Sequence, residues 1–374
     1  MEKKRDLETR VHRRILLLNY KGMGQSTALG KHGIVPDDWG THGLDRPCQT
    51  LRETATFMSS DVIGLQTTIS RSISLSGIGV HSGENVSISF NPADPDTGIV
   101  FNRLLPSGDI VSVRAVSSQV GSTDLCTLLG KAPDRSIATV EHLMAALYAL
   151  GVDNISIDLD GSEVPIMDGS AAVFIEALDT AGLVNHAVKR RYIRVIKPVR
   201  IEMGGSWAEF SQHNGTRFEI DIDFDTPLIG RQSWKGEVTA DTFRRELARA
   251  RTFGFMRDVE RLWASGHALG SSLENSVVIG DDDKVINVEG LRFRDEFARH
   301  KTLDAVGDLA LAGAQFIGCY RSYRGGHKLN AVALRALLAD QSAYEVVEAP
   351  ARRNTVRHGE LVAVNAATFA PWAV

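Results

Sequence analysis

The feature that most constrains this chain is a strict two-residue alternation of apolar side chains that begins near Leu65 and recurs in widely separated stretches. Val86, Ile88 and Phe90 form one run, Ile155, Ile157 and Leu159 another, and Phe218, Ile220, Ile222 and Phe224 a third. A period of two puts every apolar residue of a run on one face of an extended segment. Each run therefore reads as a half-buried strand of a mainly antiparallel sheet.

Helical patterns alternate with these strands. Residues 139–150 carry Val140, Leu143, Met144, Leu147 and Leu150 at helical spacing and end at Gly151, a residue suited to a left-handed C-cap. Further helices are expected over 171–181, 241–250, 295–312 and 329–338, with an additional strand over 192–201. Each half then reads as strands followed by helices. The expected fold is α+β, with two similar units, each a mainly antiparallel sheet layered against helices, and a boundary near Asn185 to Arg191. The units span 65–188 and 189–345, followed by a tail over 346–374; no fixed-period repeat is visible, so any likeness between the halves is topological.

Residues 1–64 show neither period, and a Gly-, His- and Asp-rich stretch runs from about Gly30 to Asp45. They read as a disordered extension or as the product of a mis-assigned start, since Met58 precedes the first strand pattern.

Composition narrows the class. A chain of 374 residues with 43% apolar content buries a core large enough for two domains. A net charge of -4 with interspersed signs lacks the basic stripe that tracks nucleic acid. Cys48, Cys126 and Cys319 are odd in number and widely spaced, which suggests neither a disulfide framework nor a thiolate metal site. Apolar runs such as Ile15 to Leu18 fall far short of the roughly 20 residues of a spanning helix, and His12-Arg13-Arg14 ahead of that run is a poor export signal. The expectation is a cytoplasmic monomer without membrane insertion.

The chemistry-bearing residues fall in three places. His300 and Asp304 are four residues apart, on one face of a helix, with Asp308 one turn further on. An imidazole and a carboxylate so placed can share a metal, although the spacing is common by chance and by itself more often gives an ordinary i,i+4 pair worth about 0.2–0.5 kcal/mol. Gly307, inside the same helix, weakens it unless another backbone approaches there. Glu141-His142 opens the helix of the first half, where the small Ala145 and Ala146 leave room for a metal or a second helix. By itself, Glu141 is also what a helix N-terminus favours. His327 follows Gly325-Gly326, as in a loop that presents an imidazole to a cleft or in an ordinary turn. Together these residues supply what metal-assisted amide hydrolysis needs: imidazole and carboxylate ligands, a base for water and a second acid. HExxH and GxSxG are absent, and Gly77-Ile78-Gly79 is followed by a further strand rather than a helix, unlike a dinucleotide fingerprint.

Several stretches in the same order resemble the UDP-3-O-acyl-N-acetylglucosamine deacetylase family: Gly77-Ile78-Gly79-Val80-His81-Ser82-Gly83, Thr139-Val140-Glu141-His142-Leu143, Val164-Pro165-Ile166-Met167-Asp168-Gly169-Ser170, Ala250-Arg251-Thr252-Phe253-Gly254-Phe255-Met256, and residues 299–308. The resemblance runs from about Leu65 to about Ala339. It implies a zinc ion held by His142, His300 and Asp304 between the two units, and hydrolysis of an N-acetyl group in lipid A synthesis. It also implies Glu141 as general base, Thr252 as oxyanion partner, His327 as general acid and Asp308 as the group that orients His327. For a UDP-linked acylated aminosugar it points to Phe224 near the uracil, to Lys301 and Asp258 near the diphosphate and sugar, and to Phe253 and Leu125 as further substrate contacts.

Residues 255–278 resemble the family's inserted unit, which forms a passage for the acyl chain. The chain departs from the pattern at Ser206, where relatives carry Lys before Trp-Ala-Glu-Phe, and at Ser271, where Gly-Gly is common. Two rival readings stand beside this one: a zinc amidase of the same fold acting on another acylated sugar, and a binding protein without catalysis. Phe224, Lys301 and the apolar insert argue against the first; the intact Glu141 and ligands argue against the second.

Overall fold

The computed structural model describes residues 64–132 and 135–349. The expectations about a disordered start, the export-like segment and Met58 lie outside the described residues, as does the tail beyond 349.

Two sheets organise the chain. The first contains β2 (Ile73–Ile78), β3 (Asn85–Pro92), β4 (Ile99–Leu104), β5 (Ile110–Arg114) and β6 (Ile155–Leu159), in the order β2-β3-β6-β4-β5. It is preceded by β1 (Leu65–Ile69), which pairs with β7 (Leu183–Lys189) in a separate two-stranded ribbon. The second sheet has the path β12-β11-β15-β10-β9, formed by β9 (Val199–Met203), β10 (Ser206–Ser211), β11 (Thr216–Asp223), β12 (Arg231–Glu237) and β15 (Gln315–Tyr323). Off this path, β8 (Arg191–Val195) pairs with β15 and with β16 (Tyr344–Glu348).

Matched in chain order, the two five-strand paths are the same. In each, two hairpins flank a central strand that arrives last, antiparallel to the second strand and parallel to the third. In each, a helix precedes that central strand: α1 (Glu141–Leu150) before β6 and α4 (Glu296–Ala310) before β15. A second helix follows it, α2 (Ala172–Ala181) after β6 and α5 (His327–Ala339) after β15. The expected topological likeness of the halves is thus visible strand by strand. Between β12 and α4 the second half adds β13 (Phe253–Phe255), α3 (Met256–Ala264) and β14 (Val277–Ile279), with β13 and β14 paired in parallel.

The alternating residues point inward as the period requires. Val86, Ile88, Phe90, Phe101, Ile155 and Ile157 are buried under α1 and α2, with Phe90 edge-on to Phe174 at 6.5 Å. Phe210, Phe218, Ile220, Phe316 and Tyr320 fill the second layer. Each such aromatic or branched side chain contributes roughly 1.5–3 kcal/mol by leaving water. All ten residues of α1 are buried, which fits its position between the two layers.

Several boundaries differ from expectation. The strand expected over 192–201 splits into β8 and β9, because Pro198 has no N–H and the amides of Ile196 and Lys197 turn instead to the carbonyl of Ala343. The helix expected over 241–250 is a short α turn, Ala240–Thr242, running into a π-helical stretch, Phe243–Leu247, where the Ala248 amide donates to Phe243. Residues 346–348, set aside as tail, belong to β16. The boundary expected near Asn185 to Arg191 falls on the end of β7 and the start of β8. Among the described residues four strand pairings are parallel, including β4 with β6 and β11 with β15.

Candidate metal centre and active site

The site forms where α1 and α4, equivalent helices of the two halves, lie against each other. Their contact depends on Gly307, since a Cβ there would overlap the backbone carbonyl of Glu141. The backbone approach that the lone helical glycine implied is therefore with α1.

The start of α1 is aimed by a strained residue. Thr139 has φ 59°, a costly conformation for a β-branched side chain, so the helix begins at Glu141 rather than at Thr139. The Thr139 hydroxyl donates to Glu163 at 2.7 Å. The same buried carboxylate accepts from the amides of His81 at 3.0 Å and Ser82 at 2.9 Å. Glu163 thereby ties the Gly-rich turn of the first sheet to the residue that sets the helix direction.

His142, His300 and Asp304 are buried, and a ligand atom from each lies within 4.8 Å of the others. Asp304 Oδ1 is 3.5 Å from His142 Nε2 and 3.4 Å from His300 Nε2, yet it is a buried atom without a hydrogen-bond partner. An unpartnered buried carboxylate oxygen costs free energy unless a cation meets it. Tetrahedral zinc with arms of about 2.0–2.1 Å spaces its ligand atoms roughly 3.3–3.4 Å apart, close to these two separations from Asp304. His300 Nδ1 lies 3.1 Å from the carbonyl of Ala250. A carbonyl only accepts, so Nδ1 carries the proton and Nε2 presents a lone pair. Burial lowers the His300 pKa to about 3, which keeps the ring neutral, as a metal ligand must be. Burial pushes the Asp304 carboxyl up, but the positive charge beside it, the Lys301 ammonium 2.9 Å from Oδ2, counters this, and the carboxyl sits well below the usual range.

Glu141 and His327 flank this group. Glu141 Oε2 accepts from the Thr127 amide at 3.0 Å, and Oε1 is 3.7 Å from His327 Nε2. Burial raises the Glu141 pKa, a shift suited to a carboxylate that takes and returns a proton. His327 is the first residue of α5 rather than part of a loop; extended Gly326 precedes it. Its Nδ1 is 2.9 Å from Asp308 Oδ2. Burial alone would lower its pKa, but Asp308 and Glu141 raise it to about 9.

The remaining expected residues are distributed around this centre. Thr252 directly precedes β13, with its amide donating to Gly169 at 2.8 Å. Phe253 stands 6.2 Å from the His300 ring, 4.9 Å from Phe297 and 5.7 Å from Phe224, so Phe224 reaches the centre through aromatic contacts. Asp258 sits on α3, paired with Arg261 at 2.9 Å, and Leu125 is 51% exposed in the loop before α1. Among the described residues no hydrogen bond or ion pair joins Asp258 to the centre. Burial pushes the Cys126 thiol up to about 12, so it stays protonated beside the carboxylates.

Three buried residues escaped sequence reasoning: Thr127, Asn330 and Tyr320, all hydrogen-bonded into the site. Asn330 carried a signal, since it lies three residues after His327 on the same helical face. Thr127 carried none.

Among the described residues, no helix is long and apolar enough to cross a membrane. Residues 66–339 match the family model described as LpxC, UDP-3-O-acyl N-acetylglycosamine deacetylase. Curated proteins named UDP-3-O-acyl-N-acetylglucosamine deacetylase from Brucella ovis and Brucella canis are 60% identical to this chain over 284 residues, covering 76% of it and 99% of each relative. The protein of that name from Brucella melitensis is 59% identical over the same share. With its motifs in order and most of its length matched, the chain belongs to the UDP-3-O-acyl N-acetylglycosamine deacetylase family.

Proposed function

We propose that the protein is a zinc-dependent deacetylase that hydrolyses the N-acetyl group of UDP-3-O-(3-hydroxyacyl)-N-acetylglucosamine, releasing acetate in lipid A biosynthesis. The observation that carries this reading is the unpartnered Asp304 Oδ1 between two buried imidazoles, with a carboxylate and a second imidazole alongside. The substrate is inferred from the names of the relatives.

His142, His300 and Asp304 would hold the metal. A zinc ion there supplies Lewis acidity that polarises a carbonyl and acidifies water. Glu141 accepts a proton from the attacking water as its oxygen bonds to the acetyl carbon. Thr252 donates its hydroxyl to the developing oxyanion. As the C–N bond breaks, His327 Nε2 delivers its proton to the leaving nitrogen, and Asp308 holds the ring through Nδ1. Acetate and a free amine result.

Lys301 has ammonium hydrogens beyond the one given to Asp304, and we assign it to the diphosphate. Phe224, Phe253, Asp258 and Leu125 are assigned to the nucleotide and acylated sugar. The half-buried Val259, Leu262 and Trp263 of α3 suit an acyl chain.

The test is acetate release from UDP-3-O-acyl-N-acetylglucosamine by the zinc-loaded protein, with and without a chelator. Turnover that the chelator abolishes and zinc restores is expected. Absence of acetate, or turnover indifferent to chelation, would sink the proposal.

A further inference from the structure

Behind the Asp308–His327 pair runs a line of buried hydrogen bonds to which the reaction above assigns no role. The Tyr320 hydroxyl donates to Asn330 Oδ1 at 2.7 Å, and Asn330 Nδ2 donates to Asp308 Oδ2 at 2.8 Å. His327 Nδ1 meets the same oxygen at 2.9 Å. The other oxygen, Oδ1, accepts from the Thr127 hydroxyl at 2.5 Å. Tyr320, Asn330, Asp308 and Thr127 are all buried, so water does not compete for these groups.

The direction of each bond follows from which groups can donate. A carboxylate only accepts, so the Asn330 group facing Asp308 must be its NH2. The amide oxygen then faces Tyr320, which must donate. Burial raises the Tyr320 pKa above its ordinary value, so the phenol keeps its proton. Reversing the amide would set two acceptors against each other at Asp308.

We infer that Asn330, oriented by Tyr320, is a positioning residue for the deacetylation proposed above, and the inference rests on that reading of His327. Asn330 and Thr127 together fix the plane of the Asp308 carboxylate, one from α5 and the other from the loop before α1. The carboxylate in turn fixes the His327 ring, leaving Nε2 between Glu141 Oε1 at 3.7 Å and Asp304 Oδ2 at 3.9 Å. Without the amide donor the carboxylate can rotate, and the ring that delivers the proton swings with it. A displacement on the order of 1 Å at a reacting group is enough to cost about 100-fold in rate.

A purely structural role would lower stability and leave the chemistry of His327 untouched, so the test separates the two. In the zinc-loaded full chain, Asn330→Leu should lower kcat by about 10-fold or more while KM stays within about two-fold and the zinc content is unchanged. Tyr320→Phe keeps the ring that packs on Phe210 and Phe218 and removes only the hydroxyl; it should show the same pattern, reduced to several-fold. In a His327→Ala background, either change should add less than about two-fold, because its route to the reaction is already gone.

Independently of turnover, the imidazole Nδ1–H resonance of His327 in histidine-labelled protein should shift or broaden in both variants. Unchanged kcat in both variants, an undiminished effect in the His327→Ala background, or an unmoved resonance would overturn the inference. Should Asn330→Leu not fold, Tyr320→Phe decides by the same criteria. Failure of the parent protein to release acetate would instead overturn the reading of the site, a result the resonance measurement does not share.

Discussion

Gly307 and Glu141 meet backbone to backbone: the Cα of the glycine packs against the carbonyl oxygen of the glutamate, with no space for a side chain between them. Adding one methyl must push α4 away from α1, and the groups that would move apart are His142 on one helix and His300 with Asp304 on the other. Overpacking of this kind costs about 1–3 kcal/mol or more. Gly307→Ala is expected to unfold at lower urea and to be purified with less zinc than the parent; equal midpoints and equal metal would contradict the contact.

Removing a ligand tests the metal group directly. If the proposed ligand set is right, His300→Ala and Asp304→Ala would each leave two of its three members, too few for a stable hydrolytic zinc site. Elemental analysis of either purified variant should show zinc well below one equivalent, and full occupancy would rule out the assignment.

The pH dependence should be bell-shaped. On the basic side, His327 must carry a proton to act as an acid, and its pKa lies at about 9, so kcat/KM is expected to fall as pH rises through that value. Asp308 is the largest influence holding this pKa up, so Asp308→Asn should move the basic limb to lower pH. On the acidic side, Glu141 must be ionised; burial raises its pKa, and a bound cation acts in the opposite sense. Glu141→Gln should keep the metal and lose about 100-fold or more in rate. A basic limb that does not respond to Asp308→Asn would remove His327 from the acid role.

The same shift links protonation to folding. His327 binds its proton more tightly in the folded protein, at about 9 against the 6.5 of a free imidazole. Its contribution to stability is therefore fully present below 6.5 and is lost as pH rises through about 9. Urea midpoints of the metal-free parent should decline across that interval, and those of metal-free His327→Ala should decline less.

Arg251, the neighbour of Thr252, offers a test of stability. Its guanidinium is fully buried, pairs with buried Glu296 at 2.9 Å and reaches Glu289 at 2.8 Å and the Gly290 carbonyl at 2.7 Å. This network pins the residue before Thr252 to the first residue of α4. Arg251→Met should cost about 3–5 kcal/mol by stranding a buried carboxylate, and adding Glu296→Leu should recover part of it. Denaturant unfolding of the single and double variants decides; no recovery would mean the pair acts through packing alone.

What was legible in the sequence follows from the range of the forces involved. Alternation at Val86, Ile88 and Phe90 reveals a strand because it depends only on neighbouring residues, yet it says nothing about the neighbour's direction. The parallel pairings of β4 with β6 and β11 with β15 were accordingly not foreseen. His300 and Asp304 were legible as a pair because a helix places them together. Their meeting with His142, about 160 residues earlier, depends on how α1 packs on α4, of which Gly307 on one helix and the small Ala145 and Ala146 on the other were the local traces. Gly325-Gly326 suggested a loop at His327; instead the extended Gly326 leads straight into the helix. Thr127 carries no local mark at all, since its role comes from a hydrogen bond spanning 181 residues.

The three candidate ligands come from equivalent helices of the two halves: His142 from the first, and His300 with Asp304 from the second. Neither half alone offers more than two of them. A metal ion bound there therefore reports on assembly, since tight binding requires both sheets to be folded and docked. Any change that loosens the docking, however far from the ion, draws on the ion's binding free energy. Metal affinity thus becomes a thermometer for the junction between the halves, readable by competition with a chromophoric chelator under conditions where catalysis is not being measured.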